Sequence, residues 1–453
     1  MKKGDIYEGY VESVSFPGKG YVTVGDRRAM VKGVIKGQQV RVRMKRVRKD
    51  NCQATLLEVM TPSTLEDAKP ECPHFGSCGG CAYQTMSYDN QLRMKNDMVA
   101  DLLRPFLERE NVTMEEPLAS PLAFGYRNKM EFSFGDEVKD GPLALGMHKK
   151  NSTYDIINTD SCKLVHSDVA KVLEVTVEHF RHTGNSFYKK MQHVGCLRHL
   201  VVRRSFATGE LLINLVVTTQ EEIDTDAFIK QLCELKLAGS IGGILLTKND
   251  GVADVVKSDE TILLYGKDYL TEELFGLTFR ISPFSFFQTN SLGAKVLYGK
   301  VRDYVGETKD KVIFDLYSGT GTIAQLLAPV AKKVIGVELV LEAVEAARVN
   351  AELNGLTNCE FIAGDVLKVL DEISEQPDMI VLDPPRDGLH PVALKKIMGY
   401  RIPELVYISC KPTSLARDLE LFFNGGYHLV QAGCVDMFPQ GPNMETVVKV
   451  CLE

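Results

Sequence analysis

The chain has 453 residues, 44% of them hydrophobic and 25% charged, which is typical of a globular protein and excludes a disordered or collagen-like one. At roughly 100–200 residues per domain we expect two to four domains. No apolar run reaches the ~18–20 residues of a membrane helix, and the start of the chain lacks the apolar segment of a signal peptide. We therefore expect a cytoplasmic protein that does not enter a membrane.

The first 60 residues differ in charge from the rest of the chain. They contain 13 Lys and Arg and 6 Asp and Glu, a net charge of +7, which leaves −14 for the remainder. Apolar and polar residues alternate at 7–12, 21–24 and 39–48, which predicts β-strands. About five short strands fit a small closed barrel of the oligonucleotide-binding type. Residues 1–60 are thus predicted to bind nucleic acid, although a solvated basic strand face is the alternative.

Cysteines cluster in the loop that follows. The chain has 11 cysteines and no export signal, so metal binding or catalysis is a better explanation for them than disulfides. Cys72, Cys78 and Cys81 have the spacing C-x5-C-x2-C, and Cys162 is a candidate fourth ligand. The spacing indicates a metal site but does not choose between tetrahedral zinc and a [4Fe–4S] cluster.

The remainder of the chain divides into two patterns. Hydrophobic periodicity predicts helices at 88–110 and 167–182 and a strand at 211–217. These elements predict a mixed α+β central domain at 61–285. At 286–453, apolar strands alternate with helices, which predicts a doubly wound parallel sheet whose ligands bind at the carboxyl ends of the strands. The predicted fold is therefore multidomain α/β.

A glycine turn, Gly319-Thr320-Gly321, follows the first strand of this predicted sheet. Its glycines allow the backbone to approach a ligand closely, but the third glycine of the dinucleotide fingerprint is absent, which disfavours NAD. Glu338 ends the second strand, where a carboxylate can accept hydrogen bonds from a ribose. Asp365 ends the third, where an adenine contact is expected. Either acid alone fits a helix N-cap or a solvated turn; together they resemble the pattern of class I S-adenosylmethionine (SAM) methyltransferases.

The fourth and fifth strands carry a second set of chemical groups. The fourth ends in Asp383-Pro384-Pro385-Arg386, with Arg386 where amino-methyltransferases have an aromatic residue, and the fifth ends at Cys410. A thiolate that adds to C6 of uracil makes C5 nucleophilic toward a methyl donor, and a base must then remove the C5 proton. The alternative for Cys410 is a buried structural thiol.

These motifs resemble the RNA 5-methyluridine (uracil-C5) methyltransferase family over nearly the whole chain, including a basic barrel similar to a TRAM domain. The resemblance is carried by residues 383–388, 406–410, 415–418 and 436–439 leading to Glu445. It implies Cys410 as nucleophile and Glu445 as base. It further implies SAM at Gln288, Tyr317, Glu338 and Asp383, and a [4Fe–4S] cluster on Cys72, Cys78, Cys81 and Cys162, with zinc as the alternative.

The resemblance also implies RNA as the substrate. Members that modify the T-loop of tRNA commonly lack the basic barrel and the cysteine cluster, so 23S ribosomal RNA is favoured and tRNA is the alternative. Lys411, Gly441 and Asn443 depart from the family pattern, and Asn443 stands where a His usually precedes the base. This departure leaves a non-catalytic RNA-binding or chaperone protein as another alternative. An iron–sulfur redox enzyme that uses NAD is disfavoured, and no obligatory protein partner is expected.

Overall fold

The computed structural model describes residues 2–25, 27–48, 52–253, 256 and 258–452. The predicted domain ranges also include residues that lie outside this description, namely Met1, Asp26, 49–51, 254, 255, 257 and Glu453. Among the helices of the described ranges, none combines the length and the apolarity that crossing a membrane requires.

The N-terminal residues form a closed five-stranded barrel. Its strands are β1 (Ile6–Ser15), β2 (Lys19–Val24), β3 (Arg27–Lys32), β4 (Gln39–Arg46) and β5 (Cys52–Thr61), and they pair in the order β1-β2-β3-β5-β4. In β4, Val40, Val42 and Met44 point into the barrel, while Arg43 and Lys45 are exposed. This is the period of two that places one face of a strand in a core and the other in solvent. The predicted barrel of five short strands is present.

A long helix and a second sheet follow the barrel. They comprise α1 (Tyr88–Glu110), β6 (Lys129–Asp136), β7 (Leu143–His148), β8 (Ile156–Asn158), α2 (Ser167–Thr183), β9 (Leu197–Arg204), β10 (Glu210–Val217), α3 (Thr225–Cys233), β11 (Ser240–Lys248) and β12 (Glu260–Gly266). The seven strands have the order β12-β11-β10-β9-β6-β7-β8. Apolar side chains of α2 and α3 pack with those of the sheet in one hydrophobic core.

The C-terminal residues form a third, seven-stranded sheet. A separate hairpin of two strands, β13 (Leu270–Leu274) and β14 (Leu277–Ile281), precedes this sheet. The strands of the sheet and the helices between them are α4 (Ser291–Val305), β15 (Thr308–Leu316), α5 (Thr322–Leu327), β16 (Ala331–Glu338), α6 (Leu341–Leu353), β17 (Cys359–Ala363), α7 (Val366–Glu372), β18 (Met379–Leu382), α8 (Pro391–Gly399), β19 (Glu404–Ser409), α9 (Pro412–Asn424), β20 (Tyr427–Val435) and β21 (Glu445–Leu452). The order β17-β16-β15-β18-β19-β21-β20 begins like a doubly wound sheet. Strands β15 to β19 are parallel, and β21 is antiparallel to β19.

Two elements that precede residue 286 pack against this C-terminal sheet. Apolar residues of α1 such as Met98 and Leu103 share a core with α9 and β20. In the hairpin β13–β14, the N–H groups of Thr278 and Arg280 donate at 2.8 Å to the side chains of Asn354, the C-cap of α6, and of Asn350 within α6. The division at residues 60 and 285 stays a prediction, since the core of the third sheet draws on both sides of residue 285.

Candidate active site

The carboxyl edge of the third sheet brings Asp383, Cys410 and Glu445 together. Asp383 follows β18 and Cys410 follows β19. Because β21 runs antiparallel to β19, its first residue, Glu445, lies at the same edge. Ser409 pairs with Thr446 in register, so the next residues outward, Cys410 and Glu445, are neighbours across the two strands.

Burial sets the protonation of the two carboxyl groups. Glu445 is 3% exposed; burial, and next the charge of Asp383, raise its pKa to about 8. Burial also raises the pKa of Asp383 to about 7. Carboxyl groups with pKa values near neutrality can accept and return protons at physiological pH, as a general base must.

Arg386 is the cation of this site. Burial and the charges of Glu445 and Asp383 raise the pKa of Cys410 to about 11, while the charge of Arg386 and its hydrogen bond to the thiol act in the opposite direction. The same guanidinium lowers the pKa of Glu445. Arg386 therefore favours the ionised form of both groups, which a nucleophile and a base require. The sequence analysis placed Arg386 at the end of the fourth strand but gave it no role, although its position after the Pro-Pro turn was a usable signal.

The first turns of α9 fix the loop that carries Arg386. The Ser414 hydroxyl donates to the Arg386 carbonyl at 2.8 Å, and the Arg417 guanidinium donates to the carbonyl that follows it at 2.7 Å. Asp418 is fully buried and accepts from the Leu389 N–H at 2.8 Å. The motif at 415–418 thus holds the Pro-Pro-Arg loop against the helix that follows Cys410.

The glycine turn after β15 faces the predicted ribose-binding acid. The Glu338 carboxylate accepts the N–H groups of Gly319 and Val340, both at 3.0 Å. A carboxylate has about four acceptor positions, so two oxygens with one bond each retain capacity for ligand hydroxyls. Gly321 has a φ of +71° and a Cβ there would collide with the Phe361 ring, so only glycine fits this turn. These residues fit a nucleoside ligand such as SAM.

Tyr317 and Asp365 lie near each other beside this turn. Tyr317 has a φ of +66°, and burial together with the charge of Asp365 raises its pKa to about 12. Asp365 does not end β17 as expected but lies two residues beyond it, exposed, as the N-cap of α7. It accepts the Leu367 N–H at 2.9 Å. Asp365 therefore serves as an N-cap, and its contact with adenine stays a prediction.

Gln288 lies beside Tyr298, a residue that the sequence analysis did not name and that lies near the carboxyl groups of Asp383 and Glu445. Gln288 is buried and hydrogen-bonds to Tyr298 of α4. Burial and the charge of Asp383 raise the pKa of Tyr298, and Glu445 adds to the shift. Tyr298 occupies an ordinary apolar position of an amphipathic helix, so hydrophobic periodicity alone gave no sign of its contact with the site.

The four clustered cysteines line a cavity, which we call the cysteine cavity. It has a volume of about 360 Å³ and is lined by the free thiols of Cys72, Cys78, Cys81 and Cys162. Burial, with smaller contributions from neighbouring thiols, raises the pKa of Cys81 to about 12. Within the described ranges, no three His, Cys, Asp or Glu side chains are arranged so as to hold a metal ion. The four thiols are the type of donor that the predicted zinc or [4Fe–4S] site requires, and the metal stays a prediction.

The fold and the site together define a mixed α/β methyltransferase. The family model described as tRNA (uracil-5-)-methyltransferase matches residues 87–452. The chain belongs to this family, which confirms the predicted resemblance and the predicted class of enzyme, an RNA (uracil-5-)-methyltransferase.

Individual relatives match the chain over almost its full length. It is 46% identical over 448 residues to an uncharacterised RNA methyltransferase of Clostridium acetobutylicum, covering 99% of this chain and 98% of the relative. It is also 46% identical over 450 residues to one of Caldanaerobacter subterraneus subsp. tengcongensis, covering 99% of each. The crystal structure of the Pyrococcus abyssi tRNA (uracil-54, C5)-methyltransferase with S-adenosyl-L-homocysteine has 27% identity and a TM-score of 0.79, covering 98% of this chain and 99% of that one.

Proposed function

We propose that this protein transfers a methyl group from SAM to C5 of a uridine in RNA. The observation that carries the proposal is the meeting of Cys410, Arg386 and Glu445 at the sheet edge, on the same side as the glycine turn. Family membership and the S-adenosyl-L-homocysteine complex of the P. abyssi relative support SAM as the methyl donor.

The proposed chemistry assigns one step to each side chain. The Cys410 thiolate adds to C6 of uracil, and the electrons of the C5–C6 double bond make C5 nucleophilic. SAM, when bound, would supply its methyl group to C5 with loss of the S–CH3 bond and would be left as S-adenosyl-L-homocysteine. The Glu445 carboxylate then removes the proton from the methylated C5, the double bond forms again, the C6–S bond breaks, and the thiolate is released. Arg386 stabilises the thiolate at the start and the end.

We further propose that Cys72, Cys78, Cys81 and Cys162 hold a [4Fe–4S] cluster with a structural role. Their position around one cavity supports this ligand set, and thiols with raised pKa values bind a metal with release of protons. Protein purified without oxygen should contain about four irons per chain and absorb near 400 nm. Cys78→Ser should lose both properties. Stoichiometric zinc without iron would establish the zinc alternative instead.

RNA binding is assigned chiefly to the barrel. Arg43 and Lys45 project from β4 into solvent, where they can contact phosphates, whereas Arg41 is paired with Glu8 at 2.9 Å and with Glu58 at 2.8 Å. Among RNA substrates we favour 23S ribosomal RNA, because the resemblance links it to chains with both the barrel and the cysteine cluster. The full-length similarity to the P. abyssi tRNA enzyme favours tRNA as the second candidate.

Incubation with tritiated SAM and unmodified transcripts of 23S ribosomal RNA or tRNA, followed by nucleoside analysis, tests these proposals. We expect 5-methyluridine in the ribosomal transcript. Product in tRNA alone would overturn the substrate but not the chemistry. If the protein binds SAM and RNA yet methylates neither transcript, the non-catalytic RNA-binding alternative is correct.

A further inference from the structure

The loop that leads to Glu445 determines where the proposed base points. Residues 436–444 connect β20 to β21, and Glu445 is the first residue of β21. It pairs in register with Val435, the last residue of β20. The loop therefore begins and ends directly beside this pair and is joined to the backbone that carries the carboxyl group.

A fully buried lysine of α1 lies against this loop. The Lys95 ammonium is 2.7 Å from the carboxylate of Asp436, and both side chains are 0% exposed. It also donates to the carbonyl oxygens of Phe438, Gly441 and Asn443 at 3.2, 3.1 and 3.4 Å. Lys95 thus contacts the first residue of the loop and three further points along it, with every contact on the side away from solvent.

Gln91, one helical turn before Lys95, holds the centre of the same loop. Its side chain donates to the Gln440 side chain and accepts the Gln440 N–H, both at 3.0 Å. Gln440 has a φ of +69°, a conformation that non-glycine residues adopt at a cost. The Gln440 carbonyl accepts the N–H groups of Ala82 and Tyr83, which follow Cys81, at 2.8 and 3.2 Å.

We propose that Lys95, assisted by Gln91, is a positioning residue that holds the loop so that Glu445 faces C5 of the bound uracil. A buried ammonium with no partners is costly, so loop conformations that satisfy Lys95 are strongly favoured. Lys95 uses the backbone carbonyls of Gly441 and Asn443, so this contact tolerates the departures from the family pattern at those two positions. The inference rests on the proposed role of Glu445.

Loss of this contact should affect one step more than the others. Cys410 and Arg386 are held through β19 and α9, and the glycine turn lies after β15, so the groups for thiolate addition and the glycine turn are held by elements other than the loop. The loop meets the SAM side of the site where the Asn290 side chain donates to the Met437 carbonyl at 3.1 Å, a contact that does not involve Lys95. Proton removal from C5 depends on the loop, because the base is attached to its end. The expected signature is a C6–S adduct that forms but resolves slowly.

Full-length Lys95→Met, which removes the ammonium group, should be compared with Lys300→Met. Lys300 is also largely buried and forms an ion pair with Glu115, outside the 436–444 loop. With tritiated SAM and the RNA transcript that the wild type methylates, Lys95→Met should resolve the adduct about tenfold more slowly and accumulate a covalent protein–RNA complex on a denaturing gel. SAM affinity should stay within about twofold. Deuterium at C5 should slow the variant more than the wild type, and Lys300→Met should show none of these changes.

Two further variants keep the test decisive if Lys95→Met does not fold. Lys95→Met combined with Asp436→Asn removes both buried charges, and Gln91→Met removes the second contact; both should accumulate the adduct. The inference is overturned if a folded variant resolves the adduct at the wild-type rate, if all steps slow equally, or if all three variants unfold while Lys300→Met folds. If the wild type forms neither adduct nor 5-methyluridine, the proposed function fails instead, whatever the Lys95 variants do.

Discussion

The thiol of Cys410 and the thiols of the cysteine cluster lie in different electrostatic surroundings. At the sheet edge, a guanidinium hydrogen-bonds to Cys410 and opposes the effect of burial on its pKa. In the cysteine cavity, burial raises the pKa of Cys78 and of Cys162, and neighbouring thiols add to both shifts. There, hydrogen bonds from backbone groups act to lower the pKa values of these two thiols, and the Gln84 side chain does so for Cys81.

This difference separates two uses of the same residue type. A cation beside a thiol favours the ionised form of that thiol, which suits a nucleophile. Buried thiols with raised pKa values keep their protons until a metal replaces them, which suits a ligand set. The surroundings of each thiol, more than its exposure, therefore indicate which chemistry it supports.

Removal of the Cys410 thiol is expected to have the largest effect. Cys410→Ala should lower methyl transfer at least about 10⁴-fold, because C5 never becomes nucleophilic, and no covalent complex should form. Transfer of tritium from SAM to RNA measures this, and SAM affinity should not change. Cys451→Ala, at the far end of β21, is the matched control and should remain active. Near wild-type activity of Cys410→Ala would show that the nucleophile is another group.

Glu445→Gln should fail at a later step than Cys410→Ala. It keeps the thiol but lacks the proton acceptor, so turnover should fall about 10²–10⁴-fold while a covalent protein–RNA complex accumulates. The yield of this complex on a denaturing gel should require both SAM and RNA. Normal turnover by Glu445→Gln would place the base elsewhere.

Replacement of Arg386 tests the contrast between the two thiol sites directly. Arg386→Met should raise the pKa values of both Cys410 and Glu445, so that activity at pH 7.5 falls about tenfold or more and recovers as the pH rises. Arg386→Lys should recover part of the activity, since it restores charge without the planar donor set. The measurement is a pH–rate profile of each variant. A profile that keeps the wild-type shape would mean that Arg386 does not act on these two groups.

The sequence predicts the local structure and the position of the edge residues well, for identifiable reasons. The helix predicted at 88–110 is α1 with the same bounds, since its apolar spacing and the Ser87 cap are local signals. Cys410 and Glu445 meet because strand ends in one sheet share an edge, which topology alone determines.

The contacts of α1 could not be predicted in the same way. Lys95 binds carbonyl groups more than 300 residues away in the chain, such as that of Phe438, and hydrophobic periodicity holds no information on such pairs. The pattern marks Lys95 only as a polar residue in an amphipathic helix, where a solvated position is the usual outcome. Asp365 shows a similar limit, because strand ends predicted from apolar runs are uncertain by a few residues.

The smallest expected effect concerns stability. Removing the charge of Glu445 and removing that of Glu404, both in the third sheet, should change the free energy of unfolding at high pH in opposite directions. The pKa of Glu445 is raised by burial from its usual 4.5 to about 8, so the folded state holds this proton more tightly than the unfolded state. Its contribution to stability therefore falls as the pH rises from 4.5 to about 8 and stays low above that. Glu445→Gln should raise the free energy of unfolding at pH 9 by on the order of 1–2 kcal/mol and change it little at pH 5.

Glu404, at the opposite edge of the sheet, is the matched control. Burial acts to raise its pKa, but hydrogen bonds from Lys449 and Lys311 outweigh that effect and lower it. Its stabilising contribution is present above its usual pKa and is lost only in acid, so Glu404→Gln should lower the free energy of unfolding at pH 9. Urea unfolding of both variants at pH 5 and pH 9 measures these changes. The contrary result would be that Glu445→Gln is destabilising at pH 9, as Glu404→Gln should be. The ionised Glu445 carboxylate would then stabilise the folded state, and its pKa would not be raised as a base at this site requires.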